Sequence, residues 1–328
     1  MIFSFSDEHA QLREGLRRFL TDKSPSTEVR RLMDTDEGYD QGVWRQLANQ
    51  LGVQGLAIPE KFGGSGFGAV EQAIVLEEMG RALLCAPYFS TAVLAAQTLL
   101  ASGDSAAQEQ FLPGIAEGTT IATLAVPEAN GQWSTSGLQT RAQSSGGGYV
   151  LDGSKSFVLD GHIADLLLVV AETDGGPSLF AVEGGADGLS RQLVETLDRT
   201  RKLARVELSG TPAQLVGSEG VAAAIVERTL QVAAAALAAE QVGGAQRCLD
   251  MSVEYAKIRM QFGRPIGSFQ AIKHLCADML LEVESARSAA YYASWAVADD
   301  SDELALVSSL AKAYCSEAYF HTAANNIQ

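Results

Sequence analysis

Along the first third of the chain, apolar positions recur at helical intervals. Leu12, Leu16, Phe19 and Leu20 share one face of a first helix, with Ser6 as a natural N-cap and Asp7 and Glu8 suited to the positive end of the helix dipole. The same periodicity predicts a helix over 43–50, stopped at Leu51-Gly52. Another is predicted over 69–84, where Ile74, Val75 and Met79 are apolar and Glu71, Glu77 and Glu78 take the polar positions. Between them, Pro59-Glu60-Lys61-Phe62-Gly63-Gly64-Ser65-Gly66 reads as a flexible connector, since clustered glycines favour no regular element. Helical pattern then continues to about Phe111.

Near Thr119 the period changes. Short apolar runs at 121–126, 149–151, 166–171 and 178–182 are separated by Gly, Asp and Pro clusters, which predicts an all-β domain compatible with a small barrel, ending near Val216-Gly217. From Val221 onward the pattern is helical again. Alanines at 233–236 and 238–239 favour helix and close packing, and long helices are expected over 266–297 and 304–327. The fold class is therefore mainly α with an inserted β-domain: an N-terminal helical domain (1–118), a β-domain (119–217) and a C-terminal helical bundle of four-helix type (218–328).

Composition narrows the function. With 40 acidic and 24 basic residues the formal net charge is −16, so binding to nucleic acid is not expected. An anionic ligand would need local cations. The first residues lack the pattern of a secretory signal, and no run of about eighteen uninterrupted apolar residues predicts a membrane span. Cys85, Cys248, Cys276 and Cys315 are scattered among apolar neighbours and read as buried small residues of a reduced, cytoplasmic protein. His9, His162, His274 and His321 form no ligand pair, so no metal site is expected. The glycines at 63–68 lack the lysine and preceding strand of a phosphate loop. Arg199, Arg201, Lys202 and Arg205 form a basic cluster, open to two readings: a phosphate or partner contact, or a solvated hairpin rim.

Three segments carry a specific resemblance. The first runs from Leu51-Gly52-Val53-Gln54-Gly55-Leu56-Ala57-Ile58-Pro59-Glu60 through the glycines to Glu77-Glu78-Met79-Gly80-Arg81. The second is Gly153-Ser154-Lys155-Ser156-Phe157-Val158-Leu159-Asp160-Gly161. The third is Tyr255-Ala256-Lys257-Ile258-Arg259-Met260-Gln261-Phe262-Gly263-Arg264-Pro265-Ile266-Gly267, followed by Phe269-Gln270-Ala271-Ile272. In order and spacing, across nearly the whole chain, they resemble the acyl-CoA dehydrogenase family.

That resemblance implies an oxidoreductase with FAD as cofactor, an acyl-CoA substrate, an electron-transfer flavoprotein as acceptor, and a homo- or hetero-oligomer, dimer or tetramer. It implies that Arg259 and Phe262 reach the FAD of a neighbouring subunit, the arginine at its pyrophosphate, with Gln261 beside them and Gln270 near the adenine half. A guanidinium fork suits that task because it meets two phosphate oxygens at once. The other reading makes Arg259 a surface residue and Phe262 core filling. Where the family has W-I-T at the flavin, this chain has Phe157-Val158-Leu159, and leucine supplies no hydroxyl. The T-E-P loop appears as Val126-Pro127-Glu128, losing another. Val126, Phe157 and Leu159 are the expected flavin contacts, with Phe157 and Leu159 equally readable as ordinary strand residues.

No catalytic base is assigned. The family's reaction needs a carboxylate to take the α-proton while hydride leaves the β-carbon. Most relatives carry that glutamate beyond an H-G-G-x-G turn, and the chain is expected to stop where that turn would begin. A minority place it on the preceding helix, at a position occupied here by Ala233, with Glu227 and Glu240 as the nearest carboxylates. Two functions follow: α,β-dehydrogenation of an acyl-CoA by this chain, or a non-catalytic partner lending FAD contacts to a sister chain, as in bacterial members acting on bulky acyl groups, in fatty acid or steroid side-chain degradation. An oxidase or monooxygenase on the same scaffold is a further alternative.

Overall fold

The computed structural model describes residues 5–328. Its helices are, in chain order, α1 (Asp7–Lys23), α2 (Ser26–Met33), α3 (Gln41–Leu51), α4 (Ala69–Ala82), α5 (Ala96–Ser102), α6 (Ser105–Ala116), α7 (Ala222–Ile258), α8 (Gln270–Ala298) and α9 (Leu304–Ile327). The chain divides into two compact units: one holds residues up to 26, 68–84 and 231–328, the other 27–67 and 85–230.

In the first unit, α1 is fixed by a reciprocal cap. The Ser6 hydroxyl accepts from the His9 amide, while His9 Nδ1 accepts from the Ser6 amide. With Nδ1 an acceptor, Nε2 carries the proton and donates to Glu71 at 2.9 Å. The core of α7, α8 and α9 is built largely from alanines, Ala235, Ala238, Ala286, Ala290, Ala293 and Ala311 among them, which lets backbones approach closely. α7 is long and apolar enough to cross a membrane by length and composition. Yet 56% of its most apolar window is buried inside the protein, as in a core helix.

The second unit carries the strands β1 (Ala122–Ala125), β2 (Arg141–Ser145), β3 (Gly148–Leu159), β4 (Leu166–Thr173), β5 (Gly176–Glu183), β6 (Leu189–Val194) and β7 (Leu203–Val216). β2, β3, β7, β5 and β4 pair antiparallel in that order, and β4 returns to β2 through one parallel bridge, Arg141 to Glu172. The five strands thus close on themselves, removing free edges. Leu151, Val158, Leu167, Val169, Phe180 and Val206 fill the interior. β1 runs parallel beside β4, and β6 pairs with β7.

Three local expectations change. The 59–66 segment is no flexible connector: Ser65, Gly66 and Phe67 amides bond to Gly55, Ile58 and Leu56 carbonyls, and a Cβ on Gly64 would lie 2.0 Å from the Ile58 oxygen. The helix expected from 266 begins instead with a short 3-10 turn, Ile266–Ser268, and becomes α-helical at Gln270. Before it lies an unforeseen hairpin, β8 (Met260–Gln261) and β9 (Arg264–Pro265), too short to leave a periodic signal.

Candidate functional site

The hairpin presents the third motif. Its two-residue turn is Phe262-Gly263, with φ of +53° and +74°, the left-handed pair that matches strand twist. Glycine adopts this conformation freely, whereas an aromatic side chain is strained there. Phe262 is nevertheless 90% exposed, so no core packing compensates. Among the described residues its ring meets the edge of Phe269, with centroids 6.0 Å apart, and Phe269 in turn stacks under the Arg264 guanidinium at 4.1 Å. The Arg259 backbone is held at both ends, its amide donating to Tyr255 and its carbonyl accepting from Ile266. Its side chain is exposed, with no hydrogen bond or ion pair among the described residues. Gln261 and Gln270 are exposed as well. The structure thus brings Arg259, Gln261, Phe262 and Gln270 onto one short exposed segment.

The second motif lies on β3 of the other unit. Its register against β7 slips between Lys155 and Val158, so Ser156 and Phe157 form a bulge. Phe157 has φ +55° and is 44% exposed, again an aromatic held outward in a left-handed conformation. Leu159 is half-buried, and its carbonyl accepts from the Thr123 hydroxyl at 2.6 Å.

Val126 departs from expectation. It is fully buried and offers a ligand no surface; its carbonyl accepts from Lys155 Nζ at 3.1 Å. Lys155 is itself completely buried, and its ammonium also bonds Glu128 at 3.0 Å. Glu128 accepts from the Gln139 and Thr140 amides too. These bonds outweigh burial and hold its carboxyl down at about 2. Just past β3, buried Asp160 accepts from Ser90 at 2.6 Å. Burial pushes its carboxyl up to about 6, against the Ser90 bond and the Arg201 charge. Ser90 belongs to a buried π-helical segment, Phe89–Ala95.

The motif Glu77-Glu78-Met79-Gly80-Arg81 proves to be a charge network. Glu77 and Glu78, expected on polar positions, are buried because arginines neutralise them: Arg13 pairs with both, Arg17 with Glu78 and Arg287 with Glu77. Tyr291 donates to Glu77, and Arg81 pairs with Asp250. Glu77, Tyr291, Asp250 and the four arginines line a cavity of about 540 Å³. The basic cluster is spent internally: Arg199 pairs with Asp34, Lys202 donates to the Met33 carbonyl, Arg205 pairs with Glu207, and Arg201 lies over Phe89. Ala233 is buried and Glu227 exposed, while Glu240 is half-buried, its backbone against Gly80. Among the described residues no group of His, Cys, Asp and Glu has a metal-binding arrangement.

Models of the N-terminal, middle and C-terminal domains of acyl-CoA dehydrogenases match residues 6–119, 123–209 and 219–328. Acyl-CoA dehydrogenase IpdE2 of Mycobacterium tuberculosis is 38% identical over 282 residues, 86% of this chain and 74% of the relative. The chain belongs to the acyl-CoA dehydrogenase family, oxidoreductases acting on CH–CH bonds. Among solved structures, the Tcur3481–Tcur3483 steroid ACAD superposes with a TM-score of 0.87 at 33% identity, covering 98% of this chain and 86% of that one. The ChsE4–ChsE5 complex of Mycobacterium tuberculosis gives 0.88 at 30%, covering 100% and 87%. The family fold, helical domain, β-barrel and helical domain, is the architecture described above.

Proposed function

We propose that this acyl-CoA dehydrogenase chain works with FAD in the α,β-dehydrogenation of an acyl-CoA thioester, lending its hairpin to a flavin shared with a neighbouring subunit. The observation that carries the reading is Phe262, an aromatic kept strained and exposed on the same short segment as Arg259, whose guanidinium has no partner among the described residues. An anionic, aromatic dinucleotide fits that pair: Arg259 would hold its diphosphate and Phe262 would cover one of its rings. Phe157 offers a second exposed aromatic face. Leu159 supplies no hydroxyl, so the ring edge would be held without a side-chain donor at that position. When bound, FAD would supply the acceptor for the hydride lost from the substrate's β-carbon. The electron-transfer flavoprotein that the resemblance implies would then take the electrons.

A second reading rests on the carboxylates. The helical position used by some relatives is buried Ala233, Glu227 faces solvent, and Glu240 lies at the α4–α7 crossing. With no carboxylate at that helical position, the likeness to a steroid ACAD and to a two-component complex supports a chain that works with a sister subunit on a bulky acyl group. The test is the visible spectrum of the purified chain, alone and with a copurifying subunit. Flavin bound to the pair and bleached by a steroid-derived acyl-CoA is the expected result. Bleaching of flavin on the isolated chain would instead make it self-sufficient, and absence of flavin from both preparations would overturn the proposal.

A further inference from the structure

Resting on that reading, we infer that the buried Lys155–Glu128 pair is a positioning clasp that aims Phe157 at the cofactor. Two consecutive residues of β3 bond to two consecutive residues of the 126–128 segment. Lys155 Nζ donates to the Val126 carbonyl at 3.1 Å, and the Ser156 amide donates to the Pro127 carbonyl at 2.8 Å. Phe157 is the next residue, pushed out where the register slips. The other end of the clasp is anchored too: Glu128 receives the Gln139 and Thr140 amides at 2.7 and 3.0 Å, immediately before β2, the strand that pairs with β3. Gly131, three residues beyond Glu128, faces the Phe157 ring closely enough that an added Cβ would sit 3.6 Å from it. The ring is thus flanked by the loop that the ion pair ties down.

An ion pair is a costly way to fill a core, and apolar residues of similar volume often serve stability as well. What it adds is a fixed register between two segments. A left-handed aromatic persists only where its surroundings over-determine it, and the clasp provides that constraint one residue from the bulge. Lys155 and Glu128 act through Phe157 rather than by touching a ligand themselves.

The test compares the full chain, with its partner subunit where one copurifies, as wild type, as the double variant Lys155→Met/Glu128→Gln, and as Glu128→Asp. The double variant removes both charges together, avoiding a lone buried ion. Glu128→Asp keeps both charges and shortens the tie by one methylene. Apo-protein melting, FAD affinity and the fine structure of the flavin absorption band are measured for each. The expected result is near wild-type melting with FAD held roughly tenfold more weakly and an altered flavin band, the scale at which outer partners of a bound group act. Wild-type affinity and spectrum in both folded variants would overturn the inference. Wild-type protein that takes up no FAD, alone or with its partner, would overturn the functional reading beneath it.

Discussion

Gly243 of α7 lies against the main chain of Glu77 in α4, so closely that a Cβ there would stand 1.8 Å from the Glu77 carbonyl oxygen. About one turn later in α4, Gly80 makes the reciprocal approach, where a Cβ would lie 2.0 Å from the Glu240 carbonyl. Two helices therefore cross with backbone touching backbone, and the crossing fixes where Glu77 and Glu78 present their carboxylates. Gly243→Ala is expected to push the helices apart and cost about 3 kcal/mol or more, at the upper end of overpacking effects. Gly15→Ala, in the middle of α1 with nothing within 4 Å, is the control and is expected to stabilise by roughly 0.5–1 kcal/mol. Denaturant unfolding of the two variants measures both. Equal effects would mean that the crossing yields freely.

The Glu78 carboxylate is 1% exposed and bound by Arg13 and Arg17. Glu78→Gln leaves those guanidiniums short of a counter-charge and is expected to destabilise by about 3 kcal/mol, the low end for a broken buried pair because Arg17 is half exposed. The measurement is the chemical unfolding midpoint at low and high salt. A loss that vanishes in high salt would show the pair to be a screened surface interaction.

Much of the fold was legible because its signals are long. The 37-residue α7 and the apolar run of β4 announce themselves through propensity and hydrophobicity. What escaped was short or depended on partners distant in sequence. The β8–β9 hairpin has two residues per strand, below any period. Glu77 and Glu78 read as polar positions because their neutralising arginines lie about 60 residues earlier and 210 later, a pairing that helical periodicity cannot express.

Phe262 permits function to be separated from stability. Replacing it with glycine relieves a left-handed strain of roughly 1 kcal/mol and removes a ring that buries almost nothing in the chain itself. Phe262→Gly is therefore expected to melt at or slightly above the wild-type temperature while losing most of its FAD, scored as flavin retained through gel filtration. A melting temperature that drops by several degrees would mark the ring as structural instead.

The candidate site was half legible for a related reason. Arg259, Gln261, Phe262 and Gln270 are contiguous, so one motif locates them together. The β3 contacts were harder: alternation along a strand says nothing of a bulge, so Phe157 was foreseen facing a ligand without its left-handed backbone. Val126 owes its place among the expected contacts to the resemblance of 126–128 to the T-E-P loop, and burial of its side chain here is invisible to that resemblance. Lys155 stood in a quoted motif, but nothing in the sequence announced that its ammonium is buried.

Asp160 and Glu128 pull the acid stability of the barrel unit in opposite directions. Asp160 titrates near 6 in the folded chain against 3.8 for an unperturbed carboxyl, so the folded state binds its proton more tightly. Its contribution is full below about pH 4 and is lost as pH rises through 6, by roughly 3 kcal/mol. Glu128 is lowered to about 2 from 4.5, so it stabilises above about pH 4.5 and that support fades as pH falls toward 2. Asp160→Asn keeps an acceptor for Ser90 and removes the charge. It is expected to raise the melting temperature at pH 7–8, by an amount that shrinks below pH 6 and disappears near pH 4. A constant difference across that range would mean that the change acts through packing, since only a proton bound more tightly by the folded state gives the difference a slope.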